Sequence, residues 1–270
     1  MERNENVPDV LCTAAQKEYI EREKFHKRKV AICRVMLLVL LLAVWELCAR
    51  LGIIDDFIFS SPSRVFFCFR DMVADGSIFV HVGITLLETL VSFAIVVAVG
   101  ISAAVLLWSS RSASEILEPY LVMLNSLPKS ALAPILIVWL GNHVSTIVVA
   151  AVSVAVFGSI LTLHNGFSSM DSDKIRLIYS LGGNRLDVLT KVLLPGSVPL
   201  IISNMKVNVG LCLVGVIIGE FLAAQKGLGY LIIYGSQVFK LDLVMMSIVI
   251  LCIVSALLYQ GISWLEKKVC

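Results

Sequence analysis

Apolar residues come in long blocks along this chain. Six stretches are nearly continuous in hydrophobic side chains: residues 31–51, 82–108, 120–140, 143–163, 200–224 and 243–264. A helix that crosses a bilayer needs about 20 mostly apolar residues at a rise of about 1.5 Å each, and every stretch meets that length. Only seven charged side chains fall inside them: Arg34, Glu46, Arg50, Glu88, Lys129, Lys206 and Glu220. The pattern predicts an all-α protein, a polytopic membrane bundle of six transmembrane helices. It divides the chain into a polar tail (1–30) and a transmembrane domain (31–270). The tail has no apolar core of signal-peptide type, so the first stretch is expected to be a retained anchor. A surface helix is expected over 10–29.

Two segments between the spans carry helical signals of their own. In 55–81, Ser61 followed by Pro62 reads as an N-cap with proline in the first turn. Val65, Phe66, Phe69 and Val73 then recur at helical spacing, which predicts a short amphipathic helix at the membrane surface. The loop 165–199 is the longest polar stretch after the tail. Asp171, Ser172 and Asp173 are placed to cap a helix with Ile175, Ile178 and Leu181 on its apolar side. Gly182 and Gly183 should stop it, one of them in the left-handed conformation. Asn184 is expected to cap a second helix in a capping box with Asp187. Val188, Leu189, Val192 and Leu193 form its apolar side, and Pro195 and Pro199 are expected to end it. An exposed helix pair with an apolar stripe either docks on a partner surface or folds back onto its own bundle.

The third stretch is interrupted. LNSLPKSALAPILIVWLG holds Pro128, Lys129 and Pro134 in an apolar run. Proline in a helix frees a carbonyl and bends the axis, which membranes tolerate where the backbone lines a cavity or is buried in protein. A broken, polar-bearing span points to a transport path.

Composition fits this picture: 58% of the 270 residues are hydrophobic and 16% charged, with a net charge of +2. Disorder and nucleic-acid binding by bulk electrostatics are excluded. With the N-terminus cytoplasmic, fifteen lysines and arginines lie on the inner side and five (Arg50, Arg64, Arg70, Lys226 and Lys240) on the outer. The positive-inside rule therefore predicts both termini in the cytoplasm. Cysteines at 12, 33, 48, 68, 212, 252 and 270 show no metal-binding or CxxC spacing and read as small apolar side chains. No P-loop, HExxH or GxSxG sequence occurs, the four histidines are isolated, and no cofactor is expected.

The inner loop resembles the EAA loop of ATP-binding-cassette importer permeases, the binding-protein-dependent membrane subunits. Gly182 matches that pattern's glycine, Val192 stands at its isoleucine, and Leu194-Pro195 match its Leu-Pro. Arg176, Leu177 and Ile178 replace the EAA triplet itself. FIFSSPSRVF, LNSLPKSALAPILIVWLG and GEFLAAQKGLGYLI are similar, in order, to segments of the nitrate/sulfonate/taurine-type branch, which often carries arginine where this chain has Glu88. The resemblance implies a permease subunit of an ATP-driven importer in a bacterial-type inner membrane. It further implies separate cassette ATPase subunits docked on the inner loop, an extracytoplasmic binding protein, and a second permease chain in a homodimer. On that reading Ile175, Ile178, Tyr179, Leu181 and Gly182 form the docking surface, and Arg176, Arg185 and Asp187 supply rim charges. Leu194 and Pro195 complete the coupling loop. Asn125, Ser126 and Glu220 are candidates for the path. The alternative carried by the charges in the spans is a self-contained secondary transporter or channel.

Overall fold

The computed structural model describes residues 14–52, 55 and 59–269. Arg3, Cys12, Cys270 and the first residues of the expected tail helix lie outside the described residues. Helices make up the regular structure, and among the described residues there is no strand. The chain divides into two compact units, Met1–Arg64 and Val65–Cys270.

In the first unit, α1 runs without a break from Ala14 to Arg50, so the expected tail helix and the first span are one helix. Most of its described apolar side chains are exposed, with Val35, Met36, Leu37 and Leu40 all on the surface, as lipid contact requires. Near its end Glu46 pairs with Arg50 at 2.7 Å and accepts from the Ser63 backbone N–H at 3.1 Å. Ser63 lies in the first turn of α2 (Pro62–Ala74), so a carboxylate meets free N–H groups there. The Ser61 hydroxyl accepts from Arg64 N at 3.4 Å, which makes it the expected N-cap.

The second unit is the bundle proper. Four helices in it are long and apolar enough to cross a membrane: α3 (Ser77–Ser109), α6 (Val144–Ser168), α9 (Val198–Ala223) and α11 (Leu241–Val269). With α1 that makes five, and a bent pair, α4 (Arg111–Ser126) and α5 (Lys129–Leu140), makes a sixth span if counted as one. The two halves of that pair meet at 86°. The helix opens earlier than the apolar stretch suggests because Ser110 caps it, accepting from Ala113 N at 3.3 Å. A shorter helix, α10 (Leu228–Gln237), follows α9 through a tight turn.

Small residues set the centre of the bundle. A Cβ on Gly215 of α9 would lie 2.6 Å from the Ala151 Cα of α6, and one on Gly219 would lie 2.9 Å from the Ile147 Cα. These helices touch backbone to backbone, the usual solution where lipid gives no hydrophobic drive for association. Polar groups reinforce the contact: Ser159 Oγ of α6 accepts from Asn204 Nδ2 at 2.7 Å and Asn208 Nδ2 at 2.9 Å, both from α9. At another part of the bundle Ile78, Leu228, Leu231, Met246, Ile250 and Val254 join α3, α10 and α11 in one apolar cluster. Cys212 is buried in the cluster shared by α3, α6 and α9, where it packs as a small apolar side chain.

Candidate functional site

Three places concentrate polar or unpartnered groups. The first is the connection between α6 and α9, which folds as two short helices. The Asp171 side chain accepts from Asp173 N at 2.9 Å and opens α7 (Ser172–Ser180). Gly182 N donates to Tyr179 O at 3.0 Å and Gly183 N to Ile178 O at 2.9 Å, with Gly182 at φ +81°. That pair of bonds is a Schellman ending, whose left-handed residue is glycine because a Cβ would strain the backbone by roughly 1–2 kcal/mol. Gly183 is tighter still: a Cβ there would meet the Ile178 carbonyl oxygen at 2.9 Å.

Asn184 and Asp187 then form the expected capping box of α8 (Arg185–Val188). Asn184 Oδ1 accepts from Asp187 N at 3.0 Å, and Asp187 Oδ2 accepts from Asn184 N at 2.9 Å. The backbone bond and the Lys191 ammonium, 2.7 Å away, hold the Asp187 carboxyl below the usual carboxylate range. Such a group keeps its structural contribution above its unfolded value and loses it as pH falls through the lowered one, so α8 frays only in acid. Arg185 donates to the Ser109 carbonyl at the end of α3. We expect Asn184→Ala to weaken α8 by about 1 kcal/mol. Hydrogen exchange confined to residues 184–188 should report it, and unchanged protection there would show that the box does not hold the helix.

The prolines differ from expectation. Neither ends the second helix. A π-helical turn (Leu189–Leu193) runs on into a short turn (Leu194–Gly196), and Pro199 sits in the first turn of α9. Both prolines stand at the beginning of the next segment, where their missing N–H is not needed.

The pair presents an apolar face to the outside. Leu181 is 76% exposed, Leu186 69% and Leu177 58%, with Tyr179 beside them. Ile175, Ile178 and Leu194 are half-buried, while Arg176, Arg185 and Pro195 are exposed. Leu177 and Leu186 are absent from the docking set drawn from the sequence. They sit off the apolar side that the spacing assigns, of which Ile175 and Ile178 are half-buried while Leu181 faces out. The resemblance gave the outward side no residue pattern to find them by.

The second place is the break between α4 and α5. Asn125 and Ser126 are exposed at the end of α4. Ser126 Oγ donates to Met123 O at 2.9 Å, and a Cβ on Gly158 of α6 would lie 3.2 Å from Asn125 Oδ1. Lys129 donates to the Leu124 carbonyl, one of those the break leaves without a helical partner, and stands 5.0 Å from the Phe157 ring centroid.

The third place is buried. Glu220 has no exposed surface. Its Oε1 accepts from Thr85 Oγ1 at 2.6 Å and its Oε2 from Gly229 N at 2.5 Å. Leu228 N donates to Thr85 Oγ1 at 2.8 Å, and Gly227 N to His81 Nδ1 at 3.0 Å. Position 229 leaves no room for a side chain, because a Cβ there would lie 2.9 Å from Glu220 Cβ and 3.1 Å from the Ile217 carbonyl oxygen. Glu88, one turn on from Thr85 and also buried, reaches the Glu220 carboxyl. Its Oε2 and the Ser92 hydroxyl have no hydrogen-bond partner. The sequence did hold a signal for this stripe: His81, Thr85, Glu88, Thr89 and Ser92 recur on one helical face of an otherwise apolar run. Asn125 and Ser126 are thus brought to a break in the bundle, while Glu220 is enclosed within it.

Five helices of membrane-spanning length, a bent pair that makes a sixth if counted as one, and an exposed helix pair are the parts of a polytopic membrane subunit. Residues 96–269 match the family described as binding-protein-dependent transport system inner membrane component. The chain is 30% identical over 243 residues to a probable ABC transporter permease protein of Haemophilus influenzae, covering 89% of this chain and 98% of that one. It is 24% identical to the putative aliphatic sulfonates transport permease protein SsuC of Bacillus subtilis (93% and 91% covered). It is also 24% identical to the taurine transport system permease protein TauC of Escherichia coli (91% and 94%). In fold it is similar to a chain of the MetNI methionine ABC transporter in an inward-facing conformation, with a TM-score of 0.63 at 19% identity over 69% of this chain and 93% of that one. The chain belongs to the binding-protein-dependent transport system inner membrane component family, and is a multi-pass ABC importer permease.

Proposed function

We propose that this chain forms the translocation path of an ATP-driven importer and takes its power stroke through α7 and α8. The observation that carries the reading is the exposed Leu177, Leu181 and Leu186 face, braced at the turn between α7 and α8 by the Schellman ending and the capping box. Monomeric surfaces seldom spend three neighbouring leucines on water, and a rigid apolar knob costs little ordering entropy on docking. The occupant is a cytoplasmic cassette ATPase. Ile175, Ile178, Tyr179, Leu181 and Gly182 shape the docking face. Arg176, Arg185 and Asp187 supply its charges, and Leu194-Pro195 connect it to α9. The absence of a P-loop in the sequence agrees with a separate motor.

The rest of the assembly follows from the same reading. On this reading the chain is a 1–30 tail and a 31–270 transmembrane domain, and an even number of spans with the lysine and arginine excess on the inner side supports both termini in the cytoplasm. A second copy completes the path, and an extracytoplasmic binding protein delivers a small solute of the sulfonate, nitrate or taurine type, or a related one. Asn125 and Ser126 line the path at the broken span. Glu220 contributes by holding α9 and α10 in place beside it.

The test is capture and energetics together. Tagged chain purified from its own membranes should bring down a cassette ATPase, and a cysteine at Tyr179 should cross-link to it. Solute uptake should stop when ATP is depleted. Uptake that survives ATP depletion but collapses with the ion gradient would select the self-contained secondary transporter instead.

A further inference from the structure

We infer that Glu88 is a neutral carboxylic acid that donates its O–H to the Glu220 carboxylate, and so positions the turn between α9 and α10 against α3. The inference goes beyond the importer reading and stands whether or not α7 and α8 dock an ATPase.

The directions of the surrounding hydrogen bonds carry it. Glu220 sits among donors: the Thr85 hydroxyl on one oxygen and the Gly229 N–H on the other. The Thr85 oxygen already accepts from Leu228 N at 2.8 Å, and its hydrogen goes to Glu220. A carboxylate is the form that two such donors suit, because it offers acceptor sites on both oxygens and no hydrogen. Glu88 has the opposite surroundings. Its contact is the Glu220 carboxyl, and its Oε2 has no partner. Two carboxylates present only acceptors to one another, so the contact between them needs a hydrogen. Among the described residues no lysine or arginine forms an ion pair with either group. A second buried charge would then have neither counter-charge nor donor. The hydrogen belongs on Glu88, whose charge nothing would offset, and not on Glu220, whose charge is met from two sides.

The consequence is positional. Glu220 lies in the last turn of α9, Gly229 in the first turn of α10, and Thr85 and Glu88 on α3. One anion with its neutral partner therefore ties three helices at a turn whose glycines leave no room for side chains. Glu88 acts through Glu220, as a positioning residue.

Infrared spectroscopy of the full chain in lipid nanodiscs at neutral pH tests this, because a carboxylic acid shows a carbonyl stretch that a carboxylate lacks. The wild-type spectrum should contain such a band, shifted in deuterium oxide. The band should vanish in Glu88→Gln and persist in Glu220→Gln. Glu88→Gln should also keep the melting temperature close to wild type, since its amide still donates to Glu220. Glu88→Met, of similar shape without a donor, should lower it by several degrees. A wild-type spectrum with no band, or a band lost in Glu220→Gln and kept in Glu88→Gln, overturns the assignment. A wild-type spectrum without the band overturns the assignment even if a Gln variant fails to fold, in which case Glu88→Asp should shift the band and Glu220→Asp leave it in place. Equal melting of the Gln and Met variants removes the positioning role.

Discussion

Replacing Leu181 and Leu186 together by aspartate is expected to weaken recovery of the cassette ATPase by at least about 100-fold, on the docking reading above. Membrane insertion and the permease's own melting temperature should hardly move. Both side chains are more than two-thirds exposed in the isolated chain, at 76% and 69%. Both belong to the cap segments of α7 and α8, but the cap hydrogen bonds run through the backbone and through Asn184 and Asp187, not through the leucine side chains. Exposed substitutions that leave such bonds in place change stability by about 0.5 kcal/mol or less. Buried in a partner's groove, each leucine would contribute about 1.5–3 kcal/mol, and an aspartate in its place adds the cost of desolvating a charge. Two such losses exceed 3 kcal/mol. The measurements are the ATPase recovered per permease and solute uptake by vesicles, each normalised to permease in the membrane. Full recovery of the ATPase with the double variant would mean that another surface docks the motor. Gly182→Asp should fail for a different reason. Nothing lies within 4 Å of its Cβ position, so its effect would come through the left-handed backbone and a displaced Leu181.

Why the α7–α8 helix pair was legible while the buried carboxyl pair was not comes down to range. Asp171, Gly182, Gly183, Asn184 and Asp187 act on backbone groups two to five residues away, and such bonds follow from residue type and spacing. Pro195 and Pro199 mark the limit of that reasoning. A proline says that a helical hydrogen bond is missing, and this is equally true at the end of one helix and the start of the next. The broken third span announced itself through Pro128 and Lys129. Where its first half begins was set by the Ser110 cap, outside the apolar stretch. Glu88 and Glu220 were visible as costly charges in spans. That each is the other's partner depends on how α3 and α9 cross. Local spacing carries no information about a contact between residues 132 positions apart in the sequence.

α9 is seated against α6 through two glycines, Gly215 and Gly219, and one substitution made at two places on α9 should expose what that close contact holds. Gly210→Ala and Gly215→Ala both add a single methyl group to α9, and both raise helix propensity, by about 1 kcal/mol each. A Cβ at Gly210 meets nothing within 4 Å, so this variant should melt at or slightly above the wild-type temperature. A Cβ at Gly215 lies 2.6 Å from the Ala151 Cα and 3.2 Å from the Ala151 carbonyl oxygen. These are backbone atoms and cannot turn aside as a side-chain end could. The two helices must move apart, at an overpacking cost of about 1–3 kcal/mol that outweighs the propensity gain. One turn further on, the displacement would reach Gly219, which lies as close to Ile147, and then Glu220, whose bonds to Thr85 and Gly229 depend on the separation of α9 from α3. Gly215→Ala should therefore melt lower, lose monodispersity in mild detergent, and loosen the hydrogen-exchange protection of residues 228–231. Equal melting of the two alanine variants would show that α6 and α9 separate without cost, and that close backbone contact is not what holds the bundle together.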